Sequence, residues 1–300
     1  MRIAITAASG LIGTALSESL ADRGESVLRL VRRPPASADE IRWDPAAERG
    51  GLGAAALSGL DAVVHLSGAP VAARPWTAAR KRVLRDSRIG STTAIVAAML
   101  AAPNPPPVLI AASAIGWYGD TGDEAVSEGA PNGSGFLASL VSDWEAATAP
   151  AAAAGIRVVN LRSGIVLSRR GGMLPPLLLP FRLGLGARLG SGRQYLSWIT
   201  LTDHVSAVRF LVERGDLAGP VNLTAPEPVT NAELTRALAA TLHRPAALVV
   251  PASVLRLALG ELSAELLGSC RVLPATLEQA GFAFRHAAIG PALAAAVADR

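Results

Sequence analysis

Seven residues near the start of the chain, Ala7-Ala8-Ser9-Gly10-Leu11-Ile12-Gly13, have the types and spacing of a loop that holds phosphate. They follow an apolar run, Arg2-Ile3-Ala4-Ile5-Thr6, that reads as a buried strand. They open a periodicity of Leu11, Ile12, Ala15, Leu16 and Leu20 that reads as a helix ending at Asp22-Arg23-Gly24. In that setting backbone N–H groups and the positive end of the helix face an anion, and glycine is needed wherever a Cβ would touch ligand or strand. Gly10 serves the close approach and Gly13 the helix–strand packing. Ala7 stands where such loops usually begin with glycine, so the turn must make room for a methyl group. The expected ligand is a dinucleotide whose pyrophosphate meets Ala7, Ser9, Gly10, Leu11, Ile12 and Gly13.

The second apolar strand ends Val31-Arg32-Arg33, where folds that prefer NAD place an acid for the ribose 2′-OH. Arginine there pairs with a 2′-phosphate instead, so NADP is the expected cofactor and NAD the less favoured one; the alternative is that Arg32 and Arg33 are solvated loop residues. Two further strands run into Ser67-Gly68-Ala69-Pro70 and Ser113-Ala114-Ile115-Gly116-Trp117-Tyr118. The carboxyl ends of parallel strands form the ligand crevice of such sheets, so Ser67 and Gly68 belong to the cofactor side and Ser113 and Tyr118 flank the nicotinamide. Ser113 polarises a substrate carbonyl or caps a turn; Tyr118 donates a hydrogen bond, passes a proton or caps the same turn. Arg193, Tyr195 and Trp198 have the chemistry of a substrate pocket, arginine for an anionic group and aromatics for stacking. Asp203-His204 is a second place for proton transfer, against the plainer reading of a helix cap and a surface histidine. His65 ends a strand within reach of the cofactor, while His243 and His286 read as surface or packing residues. No His/Cys/Asp/Glu spacing points to a metal.

The elements that position these residues are short apolar strands alternating with helices: Ser26–Val31, Ala62–Leu66, Val108–Ala112 and Arg157–Leu161 as strands, 77–100 and 136–153 as long helices, and another helix near 203–213. The expected fold is α/β, a Rossmann-type doubly wound parallel sheet over residues 1–167. A smaller substrate-side lobe over 168–300 is interleaved with the same core. The loop of more than twenty residues before Phe136 has the length of a functional segment. At 300 residues, half of them hydrophobic, the chain has ample material for a core. No run of about 18 apolar residues reads as a membrane span, and no signal peptide separates from the first strand, so the cytoplasm is the expected compartment. A net charge of +4 with dispersed basic residues argues against nucleic acid, and the single cysteine, Cys270, excludes an internal disulfide. The expected partner is a small-molecule substrate.

Taken together, the segments Thr6–Gly13, Val64–Pro70, Asp86–Thr92, Ser113–Asp120, Pro180–Gly186, Gly190–Ile199, Asn222–Pro226 and Gly281–Phe284 resemble the atypical and extended short-chain dehydrogenase/reductases, and most closely the YfcH-like NAD(P)-dependent epimerases. The resemblance covers nearly the whole chain. It implies an NADP-binding fold, puts Ser113 at the family's active-site serine, and puts Arg88, beside the cofactor, where orthodox relatives carry asparagine. The chain departs from the family in one respect. The Tyr-x-x-x-Lys pair is absent: Lys81 is the sole lysine, Tyr118 and Tyr195 the sole tyrosines, and Leu137 and Val141 occupy the pair's helix positions. The expected function is an NADP-dependent oxidoreductase or epimerase acting on a small polar, sugar-like substrate; the alternative is an NADP(H)-binding sensor without turnover.

Overall fold

The computed structural model of the protein describes every residue except Ala73, Asp299 and Arg300. In chain order the strands used below are β1 (Arg2–Thr6), β2 (Ser26–Val31), β3 (Glu40–Arg42), β4 (Ala62–His65), β5 (Val108–Ala114), β6 (Ala125–Val126), β7 (Arg157–Ser163), β8 (Ile165–Ser168), β9 (Gly171–Gly172), β10 (Ala187–Leu189), β11 (Tyr195–Leu196), β12 (Trp198–Thr200) and β13 (Gly219–Leu223). The helices are α1 (Leu11–Ala21), α2 (Ala78–Arg85), α3 (Ser91–Leu100), α4 (Phe136–Ala146), α5 (Ala149–Ala153), α6 (Leu174–Arg182) and α7 (Leu201–Glu213). Seven strands form one sheet in the order β13-β7-β5-β4-β1-β2-β3, and each neighbouring pair is parallel. The chain builds outward on both sides of β1, so a switch point falls between β1 and β4, where a doubly wound sheet opens its ligand crevice.

Both faces of this sheet are covered, which is why its strands read as apolar runs rather than alternating ones. Ile3 and Ile5 face α1 and α7, packing with Leu16, Leu20, Val205 and Val208. Ala4, between them, faces the opposite layer with Ile95 and Met99 of α3. The second half carries its own apolar cluster of Leu174, Leu178, Phe181 and Trp198. It also returns α7 and β13 to the first half's core, so the two parts interlock.

The expected helix over 77–100 is interrupted. Between α2 and α3 the chain makes one π turn, Asp86–Gly90, which turns Arg88 inward. The helix over 136–153 also divides, because the Thr148 hydroxyl bonds back to the Glu145 carbonyl at 2.7 Å and α5 then starts at Ala149 with Pro150 in its first turn. Two strands of the sheet lack a sequence pattern: β3 is three residues long, and β13 contains Pro220, tolerated because β13 is an edge strand. Among the described residues no helix is long and apolar enough to cross a membrane.

Candidate functional site

Ala7 occupies the left-handed region at φ 52°, the conformation glycine usually supplies at this point. The turn it makes closes with Gly10 N–H donating to the Ala7 carbonyl at 2.9 Å. A Cβ on Gly13 would overlap the Ala7 carbonyl oxygen and come within 2.8 Å of Ala8 Cα, so helix and turn meet backbone to backbone. Gly10 is the N-cap of α1, no side chain caps the helix, and its first turn holds no acid. The opening N–H groups of α1 therefore face the crevice without a protein acceptor, the local condition for binding an anion. A dinucleotide pyrophosphate fits this cradle, whose turn a Cβ at Gly13 would force away from the helix.

At the end of β2 the two arginines differ. Arg33 grips Glu40 with both ends of its fork, at 2.7 and 2.6 Å, and Glu40 also accepts from Ala36 N–H at 2.7 Å. The Arg33 hydrogen bond holds Glu40 below the usual carboxylate range. Arg32 is exposed and makes no ion pair among the described residues, so it is the guanidinium left over for a further anion.

Strand register sets the span of the crevice. Ile5 pairs with Val64 and Val64 with Ile110, so β5 lies two strands from β1, about 10 Å away. Ser113 is next to last in β5, 4 % exposed, and its hydroxyl donates to Glu145 Oε1 of α4 at 2.6 Å. Arg162, paired with Ser113 in the sheet, holds the same carboxylate through Nε at 2.8 Å and Nη2 at 2.9 Å. Its third edge donates to the Tyr118 hydroxyl at 3.1 Å, and Tyr118 in turn donates to Asn222 Oδ1 at 2.7 Å. The Trp117 ring lies 3.9 Å from the Arg162 guanidinium carbon. Burial opposes the charge on Arg162, but hydrogen bonds to Glu145 and Tyr118 more than offset it and raise its pKa. Burial also raises the Tyr118 pKa.

This network revises the expected roles. Tyr118 is 4 % exposed and its single proton is committed to Asn222, so its place is that of a strut between β5, β7 and β13. Ser113 spends its proton on Glu145 and leaves lone pairs, not a donor, for the crevice. Glu145, Arg162 and Asn222 are the residues missed in the sequence. The available signal was Arg162 directly after the apolar Leu161 at the end of a buried strand, since a buried guanidinium requires a partner.

Around this pair the fold is tightly set. Gly116 carries no Cβ because one would approach Leu137 Cβ at 3.1 Å, and Val141 lies beside it at 3.8 Å; the two helix positions without tyrosine and lysine thus pack on the turn after Ser113. Ser67 is half-buried just past β4. Arg88, 8 % exposed, donates to the carbonyls of Ala69 at 3.0 Å and Leu84 at 3.3 Å, and a Cβ on Gly68 would come within 3.3 Å of its guanidinium carbon. Burial lowers its pKa to about 10. Arg88 shapes the Ser67–Ala69 segment from below.

Other expected residues lie elsewhere. Trp198 is fully buried in the second cluster, its indole N–H donating to the Glu227 carbonyl at 3.0 Å, and so does not line a pocket. Tyr195 is half-buried under Arg271, whose guanidinium carbon sits 4.8 Å from the ring centre, and Arg193 is exposed. The N-cap of α7 is Thr200, not Asp203; Asp203 accepts from the N–H groups of Arg285 at 2.8 Å and His286 at 3.0 Å, tying down the C-terminal segment. His204 is not at the surface: it is fully buried with Nε2 2.9 Å from Ser163 Oγ. His65 is likewise enclosed, between Thr6 Oγ1 at 3.0 Å and Ser91 Oγ at 3.2 Å, which withdraws it from any cofactor.

Residues 3–223 match the model of the NAD dependent epimerase/dehydratase family, and residues 250–296 match a domain of unknown function. The epimerase family protein Mb2239 of Mycobacterium bovis is 50 % identical over 97 % of this chain and 96 % of its own. The human epimerase family protein SDR39U1, solved with NADPH, superposes with a TM-score of 0.90 at 31 % identity over 100 % of both chains. A nucleoside-diphosphate sugar epimerase from Corynebacterium glutamicum superposes at 0.82 with 34 % identity, over 99 % of this chain and 58 % of that one. With this sheet, this turn and these matches, the chain belongs to the NAD dependent epimerase/dehydratase family.

Proposed function

We propose that the protein is an NADP(H)-dependent oxidoreductase or epimerase acting on a small polar substrate with a secondary alcohol or ketone, of the sugar-like kind named for the Corynebacterium glutamicum relative. The α1 turn and Arg32 supply sites for the pyrophosphate and the 2′-phosphate, and the human relative solved with NADPH supports that choice of cofactor. When bound, NADP supplies the hydride acceptor. The observation that carries the reading is the 2.6 Å hydrogen bond from Ser113 to Glu145 at the crevice end of β5.

Ser113 is a relay rather than a polarising donor. Its oxygen accepts the proton of the substrate hydroxyl as its own proton passes to Glu145 Oε1, and the reverse transfer protonates a substrate ketone. Arg162, held on both carboxylate oxygens, fixes Glu145 in the one orientation that receives the Ser113 proton. This pair does the work that Tyr-x-x-x-Lys does in orthodox relatives. Candidate nucleotide sugars are incubated with the NADP⁺-loaded protein and the products identified. Ser113→Ala and Glu145→Gln each lower turnover by about ten- to a thousand-fold with NADP affinity unchanged. Full turnover in either variant removes the relay.

A second reading, an NADP(H)-binding sensor without turnover, is favoured by the two apolar residues Leu137 and Val141 beside the Ser113 turn. It predicts cofactor binding with no product from any substrate.

A further inference from the structure

Away from the crevice, a groove of about 470 Å³ runs between α1, α7, the turn after β8 and the segment leading to the last helix, and Arg170, Arg209 and Arg285 line it with Ser19, Thr202 and Ser206. Three arginines from three separate stretches thus line one concavity, which Asp203 also lines. Arg170 reaches Glu18 only at 3.5 Å. Arg209 gives one N–H to the Ser19 hydroxyl at 3.0 Å, while its Nε is buried with no acceptor. The Arg285 side chain is exposed and makes no ion pair among the described residues. Asp203, the acid in the wall, accepts from the Thr200 hydroxyl at 3.0 Å and from the N–H groups of Arg285 and His286 at 2.8 and 3.0 Å, so its oxygens are held on the chain's own donors and the lining arginines outnumber the lining acid three to one.

We propose that this groove binds a phosphorylated small molecule, its phosphoryl group held by Arg170, Arg209 and Arg285. Arg209 spends Nη1 on the Ser19 hydroxyl, and its other terminal nitrogen, Nη2, makes no hydrogen bond among the described residues, which leaves it for an anion. Three arginines arriving from different directions suit a tetrahedral dianion better than a planar carboxylate, whose two oxygens lie in one plane and share one charge. The hydroxyls of Ser19, Thr202 and Ser206 are further donors, and the volume exceeds what a phosphoryl group alone needs. The groove runs along α1 from Ala15 to Ser19, beyond the dinucleotide turn, and no residue of the Ala7–Gly13 turn, nor Arg32 nor Ser113, lines it.

The probe is methyl phosphate, followed by ³¹P NMR shift in the full chain, with methanesulfonate displacement as the monoanion control. The wild type binds methyl phosphate saturably, and methanesulfonate at least five-fold more weakly. The double variant Arg209→Gln/Arg285→Gln weakens methyl phosphate at least ten-fold while NADPH affinity stays within two-fold. Thr202→Glu, an exposed position in the first turn of α7 where an acid suits the helix, gives the same loss and serves if the double variant does not fold. Absence of saturable binding to the wild type overturns the proposal. So does unchanged binding in the variants, a parallel loss of NADPH, or equal affinity for the monoanion.

Discussion

Arg162 and Glu145 form a two-pronged ion pair, at 2.8 and 2.9 Å, beneath the carboxyl end of the central sheet, with side chains 2 % and 11 % exposed. A pair this buried contributes little net stability as a pair, but removal of one member strands the other in a low dielectric. Arg162→Met is therefore expected to cost about 3–5 kcal/mol, read as a fall in the urea midpoint with unchanged slope. The double variant Arg162→Met/Glu145→Leu recovers a large part of that loss. Additive costs in the double variant contradict the pairing.

Ala7 and Gly13 make opposite predictions although both sit in one turn. Ala7→Gly relieves a left-handed alanine at φ 52° but loosens the unfolded chain, so stability changes by no more than about 1 kcal/mol, toward stabilisation. Gly13→Ala forces a methyl onto the Ala7 carbonyl and costs about 2 kcal/mol or more. Thermal melts of both variants decide this; a harmless Gly13→Ala would mean that the turn is built differently.

Arg32 and Arg33 separate in the same way. Arg32→Ala lowers NADPH affinity by about ten- to a hundred-fold, the scale of a lost charge-assisted hydrogen bond, and leaves NADH affinity unchanged. Arg33→Ala leaves Glu40 without its partner and acts mainly on the loop that Glu40 organises. Fluorescence titration with both nucleotides distinguishes them, and equal losses for NADPH and NADH in Arg32→Ala count against a 2′-phosphate contact.

Much of the framework was legible because its signals are local. The apolar run of β1, the glycines that follow and the periodicity of α1 lie within a short stretch, and β2 begins and ends where its pattern does. The chemistry was less legible because it is assembled at a distance. Ser113 meets Glu145 across 32 residues and Tyr118 meets Asn222 across 104, and no spacing rule connects them. Trp198 misled because an aromatic in a polar, glycine-rich stretch resembles pocket lining, yet its N–H has a backbone acceptor and its ring fills a core. His204 misled in the other direction: at the start of a helix a polar pair usually faces water, but α7 packs that turn against β7.

Two buried histidines tie the stability of the fold to pH. Burial lowers the pKa of His204 to about 4 and that of His65 to about 3, from 6.5. The unfolded chain takes up both protons as pH falls through about 6.5, whereas the folded chain resists until it reaches those lower values. Their contribution is thus full at neutral pH and is lost as pH falls from about 6.5 toward 4 for His204 and toward 3 for His65, by a few kcal/mol in all. Urea midpoints measured between pH 7 and pH 4.5 should fall, and His204→Gln should flatten the slope. An unchanged slope in that variant means that carboxylates, not this histidine, carry the effect.

The most direct test of the account is calorimetric titration of the wild-type protein with NADPH and with NADH. The uncapped α1 turn and the free Arg32 predict one saturable site per chain, at least ten-fold tighter for NADPH. Equal affinities, a preference for NADH, or no saturable binding of either nucleotide would contradict it.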